Sequence, residues 1–290
     1  MMSPATGASV IRRAQDGVRR SALRRQFHAV VSDKSDALSV DLDQPGVDVG
    51  AILEEITKGL DSGNLAVQRL AAPLRNSGAA DTLIERLAAE STSQRIRSAR
   101  VIGALRLYDA VPWVAELLAS SDRGVSDAAA RALGKTGGRN SASALVLAIQ
   151  RRGLSRRLVA ELARAAPDMF LEAAMGEPQR PAVRPALAMA AGLRRRRTAI
   201  NPLIALVLHG SQRERVISCR ALGWIGAGTA VPVLMGALRD RDWKTRMSAA
   251  KALGALRAYS AKDELRHLQS DRHRHVRMAA LHALRRLKVR

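Results

Sequence analysis

One phrase recurs along this chain at a nearly constant interval, and this interval limits the fold more than any other feature. Stretches resembling "AVPWVAELL" begin at positions 79, 110, 141, 199, 230 and 261. Four of the five intervals are identical, and the fifth is long enough for one full unit and one shortened unit. Extended in both directions, the array has about eight units between positions 48 and 290. Such a period indicates a repeat protein in which each unit packs on its neighbours.

Each unit has the pattern of two helices. Proline often occupies the first turn of the first helix, where its missing N–H is not needed, as at Pro112, Pro202 and Pro232. The second helix has small or apolar residues at helical spacing, as at Val276 and Ala280. Glycines at 103, 134, 192, 223 and 254 are expected to end the second helices.

Strand patterns are absent from the sequence, so we predict an all-α fold. The expected architecture is an α-solenoid of about eight two-helix repeats of about 31 residues, one of them shortened. A single pair of short helices cannot bury its own apolar face, so stacking against the next pair is what makes the core continuous.

The repeated pattern V-R-x-A-A-x-A-L-G, followed by x-A-V-P-x-L, resembles the HEAT repeat family. The resemblance is to the short bacterial repeats first noted in phycobilin lyases, and it covers most of the chain from position 48 onwards. It implies a HEAT-like superhelix whose second helices line a concave surface. Because this family consists mostly of scaffolds, the resemblance is specific for the fold and much less so for the function.

The composition supports close helix packing and excludes several protein classes. Aromatic residues make up only 2 % of the chain, so the core must be built from Ala, Leu, Val and Ile. The single cysteine, Cys219, excludes an internal disulfide and a cysteine-based zinc cage. No apolar run in the sequence is long enough to span a bilayer. We therefore expect a cytoplasmic protein.

The net charge of +22 is unevenly distributed and suggests three segments. Residues 1–31 form a basic N-terminal arm of about +5, with the pattern of an amphipathic helix. Residues 32–47 are an acidic, turn-rich linker, and residues 48–290 are the repeat solenoid. Residues 62–290 carry +23, so the positive excess belongs to the repeats, where it favours anionic partners.

Basic residues recur at two positions of the second helix. The first column, at the second position of the helix, comprises Asn64, Arg95, Ser126, Arg157, Arg184, Arg215, Arg246 and Arg277. The second column, five residues later, comprises Arg69, Arg100, Arg131, Leu162, Met189, Arg220, Lys251 and His282. Both columns fall outside the buried stripe, so we expect them to run along the concave face that the resemblance implies.

Two interpretations of the first column are open. HEAT-like repeats commonly pair this arginine with an aspartate six residues earlier, and Asp240 and Asp271 stand at that spacing before Arg246 and Arg277. The other arginines of the column lack such an acid and are candidates for partner contact, whereas the second column is either a binding surface or a solvated helix face. The predicted partner-binding residues are Arg69, Arg95, Arg100, Arg131, Arg157, Arg184, Arg215, Arg220 and Lys251.

The sequence offers little support for an enzyme. No histidine is followed by glutamate, the pair that holds the di-iron centre in deoxyhypusine hydroxylases, which share this kind of repeat. The three tryptophans occupy different positions of their repeats, unlike the aromatics of HEAT-like DNA glycosylases. The histidines around position 273 stand beside arginines, which disfavours a metal. We predict no catalytic residues, no metal and no cofactor, although lyase- or glycosylase-type activity is not excluded.

The leading hypothesis is a non-enzymatic scaffold that binds an acidic protein partner through a basic concave face. One alternative is binding of a nucleic acid through its phosphates. Another is a membrane-surface adaptor that uses residues 8–28, with an apolar side that includes Val18, Leu23 and Phe27. A further hypothesis is that the acidic linker occupies the basic surface in cis.

Overall fold

The computed structural model describes residues 4–35, 47–60, 64–177 and 180–288. Over these ranges the chain forms seventeen α-helices and several short 3-10 turns, with no β-strand. This confirms the predicted all-α fold. The chain divides into two compact units, residues 1–141 and 142–290, which we call the N-terminal unit and the C-terminal unit.

The N-terminal unit begins with a long helix and continues with helical pairs. Its helices are α1 (Pro4–Val31), α2 (Val49–Ile56), α3 (Leu65–Asn76), α4 (Ala79–Glu85), α5 (Thr92–Leu105), α6 (Val111–Glu116) and α7 (Arg123–Thr136). A 3-10 turn prolongs both α4 and α6, so that each of these first helices ends in a tighter coil. The division between the units falls within α8 (Gly138–Arg152).

The C-terminal unit continues the alternation of first and second helices. After α8 come α9 (Arg156–Ala165), α10 (Asp168–Gly176), α11 (Val183–Leu193), α12 (Ile200–His209), α13 (Gln212–Ile225), α14 (Val231–Ala237), α15 (Trp243–Ala255), α16 (Lys262–His267) and α17 (Arg274–Lys288). Its second helices α9, α11, α13, α15 and α17 pack in series, each against the next.

The beginning of the N-terminal unit departs from this order. Helix α5 packs against α7 and α2, whereas α3 contacts α5 only slightly and packs more on α1 and α4. Gly50 of α2 makes this possible, because a β-carbon there would lie 3.0 Å from Cβ of Arg100. The two columns placed Asn64 and Arg69 in the second helix of the first repeat, which would make α3 the neighbour of α5 at the position that α2 occupies, so this placement is wrong. Ile52 and Leu53 of α2 are fully buried in this arrangement.

Close approach between second helices explains the recurrent glycines. A β-carbon on Gly254 would lie 2.7 Å from Cα of Ala283, and one on Gly223 would lie 2.9 Å from Cα of Ala252. Both glycines are inside their helices, one or two residues before the end. The expectation that these glycines end the helices is therefore wrong. They are required because the next helix leaves no room for a methyl group.

Four of the second helices, α5, α11, α13 and α15, end at a later residue that adopts a left-handed conformation. Gly226 occupies this position after α13 with φ of 83°, and Arg257 occupies it after α15 with φ of 50°. Arg106 and Arg195 adopt the same conformation at the ends of α5 and α11, with φ of 52° in each. An arginine is strained in this region of φ. The packing around these turns must therefore stabilise a conformation that glycine would adopt without strain.

A cationic groove on the C-terminal unit

Two first-column arginines of the C-terminal unit are bound to the protein itself. Arg215 donates from Nε and Nη2 to the two carboxylate oxygens of Asp240, at 2.8 and 3.3 Å. Arg246 makes the same two-pronged contact with Asp271, at 2.8 and 2.9 Å. Only 8 % of the Arg246 side chain and 7 % of the Asp271 side chain are exposed. These contacts fix each second helix to the turn before the next one.

The acid that pairs with each arginine lies in the following repeat, at the same sequence separation in both pairs. The sequence pattern had placed it six residues earlier. That earlier residue does contribute, but through its main chain, since Arg246 Nη1 donates to the carbonyl of Asp240 at 2.8 Å. Arg277 makes the same contact with the carbonyl of Asp271 at 2.9 Å. Each aspartate therefore serves two successive arginines, one through its carboxylate and one through its carbonyl.

The hydrogen bonds between Arg246 and Asp271 shift both ionisations in the direction that stabilises the pair. They raise the pKa of Arg246 and lower the pKa of Asp271. Burial acts against both charged forms, and the charge-assisted hydrogen bonds outweigh it. Arg215 and Arg246 of the first column are thus structural residues that join successive repeats.

The other first-column arginines have varied surroundings. Arg184 lies 3.8 Å from Oε1 of Glu214 and donates to the carbonyl of Glu177 at 3.0 Å. Arg95 is half-buried, and its Nη2 donates a hydrogen bond to Oγ1 of Thr92 at 3.4 Å. Arg157 is exposed on α9. Arg184 and Arg215 already donate hydrogen bonds within the protein, so fewer of their N–H groups are available to bind a partner.

In the N-terminal unit, acidic side chains neutralise much of the second column. Arg69 pairs with Asp33 at 2.8 Å, and Arg100 pairs with Asp48 at 2.6 Å. Glu54 on α2 lies 3.7 Å from Arg100 and also pairs with Lys135 at 2.9 Å. Arg131 is half-buried on α7. This unit therefore offers few unpaired cations along the predicted column.

Asp33 lies within the predicted acidic linker, residues 32–47, and Asp48 is the residue that directly follows it. Most of that linker, residues 36–46, lies outside the described residues. The hypothesis that it occupies a basic surface in cis therefore stays a hypothesis. Asp33 of the linker contacts Arg69, and Asp48, directly after the linker, contacts Arg100.

In the C-terminal unit the second column opens onto a groove. Arg220, Lys251 and His282, spaced one repeat apart, line one depression of about 310 Å³ over helices α13, α15 and α17. Arg286 lies one turn after His282 on the same groove. No described residue forms an ion pair or hydrogen bond with the side chain of Arg220, Lys251 or Arg286. We call this site the cationic groove.

Small residues and one tryptophan complete the cationic groove. Its floor consists of Gly223, Ala252, Gly254, Ala255, Ala279 and Ala283. Trp224, one helical turn after Arg220, forms part of the wall and is 43 % exposed. Ser248 also lines the groove, and its buried hydroxyl has no hydrogen-bond partner among the described residues. The site thus combines an apolar floor with a cationic rim.

Most of the positive excess is located in the same unit. Residues 142–290 contain 29 Lys and Arg and 10 Asp and Glu, a net +19 of the total +22. Residues 1–141 contain 19 basic and 16 acidic residues, a net +3. The long-range field of the chain therefore originates largely from the unit that contains the cationic groove.

The repeat period predicts that Arg220 and Lys251 share one surface, and the structure brings them together with His282. The period did not identify Trp224, Ser248 or Arg286. A spacing signal for Trp224 and Arg286 was present, because each stands four residues after a second-column position and so lies on the same helical face. The three tryptophans occupy different repeat positions, so Trp224 is related to the groove by its spacing from Arg220 and not by a tryptophan repeat.

The apolar side of the N-terminal arm is used within the protein. Leu23 and Phe27 of α1 are buried, with exposures of 6 % and 0 %, as α1 packs on α2 and α3. Val18 remains exposed. The residues that were expected to face a membrane are therefore only partly available in this fold. Within the described residues, no helix combines the length and apolar character needed to cross a bilayer.

The histidines near position 273 form an aromatic stack. The ring of His273 lies on Trp243, with centroids 3.7 Å apart and an interplanar angle of 9°. Its Nδ1 accepts a hydrogen bond from the His275 main chain at 3.3 Å, and burial lowers the pKa of His273. The described residues contain no cluster of three or more His, Cys, Asp or Glu suited to a metal ion.

Stacked helical hairpins of nearly constant length define this protein as an all-helical repeat protein of the α-solenoid class. The sequence profile of HEAT repeats matches residues 80–165 and 200–285, and the chain belongs to the HEAT repeat family. This confirms the resemblance that the repeated motif suggested. No curated protein matches the chain in sequence.

Several solved structures are similar at low identity. Human deoxyhypusine hydroxylase in complex with glycerol is 19 % identical, with 92 % of this chain and 98 % of that chain covered and a TM-score of 0.39. An engineered protein is 20 % identical, with 72 % and 96 % covered and a TM-score of 0.32. A second engineered protein is 19 % identical, with 86 % and 80 % covered and a TM-score of 0.38.

Proposed function

We propose that this chain is a non-enzymatic HEAT-repeat scaffold whose C-terminal unit binds an acidic segment of a protein partner in the cationic groove. The observation that carries the proposal is the contrast between the two columns. First-column arginines such as Arg215 and Arg246 are held by aspartates, whereas Arg220, Lys251 and Arg286 line a groove without a described acidic partner.

The expected mechanism is electrostatic steering followed by local pairing. A net charge of +19 on the C-terminal unit attracts an acidic segment from a distance. Within the groove, the arginine forks can then bind carboxylates in a two-pronged geometry, which fixes the orientation of the segment. Steering of this kind weakens as salt screens the charges over about 10 Å.

The test is a comparison of two charge-reversed variants with the same net charge. The groove variant contains Arg220→Glu, Lys251→Glu and Arg286→Glu, and the control contains Arg156→Glu, Arg213→Glu and Arg239→Glu at exposed positions. Binding of a fluorescent peptide of alternating Glu and Gly is followed by anisotropy. We expect about a tenfold loss of affinity in the groove variant and a much smaller loss in the control.

Equal losses in the two variants would show that net charge alone attracts the peptide and would contradict the proposal. A random DNA duplex serves as the competing probe. Duplex binding with a log–log salt slope of about −0.9 per phosphate contact, in the absence of peptide binding, would instead support the nucleic-acid alternative.

A further inference from the structure

The floor of the cationic groove is apolar and has no large side chain. It is made of the glycines and alanines that let α13, α15 and α17 approach one another. The carboxylates of a purely acidic segment would pair with the cations of the rim, but the apolar floor would stay in contact with water. The groove volume of about 310 Å³ falls at the lower end of the range found for ligand pockets.

Trp224 is a preformed wall of this groove. Its ring packs against α11, since a β-carbon built on Gly192 would lie 2.8 Å from Cε3 of Trp224. With this side anchored, 43 % of the residue remains exposed at the groove. An aromatic ring fixed in this way offers a face or an edge to a second ring without a large loss of conformational entropy.

Ser248 supplies an unsatisfied polar group beside this apolar surface. Its side chain is fully buried, it lines the groove, and its hydroxyl lacks a hydrogen-bond partner among the described residues. A buried hydroxyl without a partner is costly, so Ser248 adds an unsatisfied polar group to an otherwise apolar lining.

From these three observations we propose that the groove recognises an acidic segment with one large apolar or aromatic side chain between its carboxylates. The apolar side chain lies on the glycine and alanine floor against Trp224, and the flanking carboxylates reach Arg220, Lys251 and Arg286. This inference rests on the proposed function and specifies the chemistry of the partner segment.

Trp224 provides a direct readout in a protein that contains Trp113→Phe and Trp243→Phe, because it is then the only tryptophan. Two Glu-rich peptides are compared, one with a central Phe and one with a central Gly at the same position. We expect the Phe peptide to bind about tenfold more tightly and to shift the Trp224 emission to the blue, as solvent leaves the exposed ring.

A groove-filling variant tests where the apolar side chain binds. Ala255 is exposed and lines the groove, so Ala255→Leu occupies the floor without changing the core. It should abolish the preference for the Phe peptide and preserve binding of the Gly peptide. Ala160→Leu, at an exposed position of α9, is the matched control and should preserve the preference.

The outcomes separate the two proposals. If both peptides bind equally and both are lost on charge reversal of the groove, the apolar anchor is wrong and the acidic docking site stands. If neither peptide binds to the unmodified protein, the docking site is wrong and the anchor fails with it. If Ala255→Leu leaves the preference unchanged, the anchor does not bind in this groove.

Discussion

Arg246 and Asp271 form a nearly buried ion pair that joins α15 to the turn before α17, through contacts of 2.8 and 2.9 Å between nitrogen and oxygen. Arg215 and Asp240 form the equivalent pair one repeat earlier, where both side chains are more exposed. The C-terminal unit therefore uses one kind of polar joint at successive repeat junctions, alongside the close packing of its second helices.

Loss of the Asp271 carboxylate should destabilise the protein strongly. Asp271→Asn leaves the buried Arg246 guanidinium without its counter-charge, and we expect a loss of about 3 kcal/mol in unfolding free energy. Urea denaturation followed by circular dichroism measures this change. The exposed pair of Asp263 with Arg266 is the control, and Asp263→Asn should cost less than about 0.5 kcal/mol. Equal effects of the two changes would contradict the bracing role.

The same pair predicts a loss of stability in acid. Because Arg246 lowers the pKa of Asp271 in the folded protein, the stabilisation is fully present above the unfolded pKa of about 3.9. It is lost as the pH falls below that value and through the lower folded pKa. Urea midpoints measured between about pH 5 and pH 2 should fall less steeply in Asp271→Asn than in the unmodified protein. Parallel profiles would contradict this assignment.

Two identical glycine-to-alanine changes should have opposite effects. Gly254→Ala forces a methyl group to within 2.7 Å of Cα of Ala283, and we expect a loss of about 1–3 kcal/mol. Gly236→Ala in α14 meets no atom within 4 Å, and its higher helix propensity should add about 0.5–1 kcal/mol. Thermal unfolding of both variants provides the comparison. A stabilised Gly254→Ala would show that the second helices are not in close contact.

The left-handed turn after α15 offers a stabilising substitution. Arg257 is exposed and has φ of 50°, so Arg257→Gly should relieve strain and add about 0.5–1 kcal/mol. The reverse change is available one repeat earlier, where Gly226 has φ of 83°. Gly226→Ala should lower the stability, and a melting temperature that rises in both variants would contradict the turn geometry.

Cys219 should report unfolding of the C-terminal unit. The thiol is fully buried on α13, and burial raises its pKa to about 12. Since the thiolate is the reactive form, Ellman's reagent should react very slowly with the native protein at neutral pH. In urea the same thiol should react quickly. A fast reaction without denaturant would show that α13 opens readily, and the single cysteine makes this interpretation direct.

The period of the sequence predicted the hairpins and the common surface of Arg220 and Lys251. Both predictions depend only on the fact that residues one repeat apart occupy equivalent positions. The acid that pairs with Arg215 was not predicted, because it lies in the next repeat and the helix crossing decides which residue faces the guanidinium. The contact of α2 with α5 was missed for a similar reason, since α2 and α3 have equally plausible helical patterns.

The glycine positions show a different limit of sequence reasoning. Gly223 and Gly254 stand near helix ends, where a terminating role and a packing role give the same pattern. Only the distances to Ala252 and Ala283 separate the two explanations. Arg257 adds to the difficulty, because an arginine at a left-handed position has no signature in the sequence.

In each glycine–alanine contact of the C-terminal unit, the glycine lies in one hairpin and the alanine lies in the next. Gly223 of one hairpin needs Ala252 of the next, and Gly254 needs Ala283 in turn. A larger side chain at one position of such a contact therefore requires a compensating change in the neighbouring repeat, so the two repeats must change together during evolution. Duplication or deletion of one whole repeat keeps every such pair matched, which gives the array a simple route to change its length.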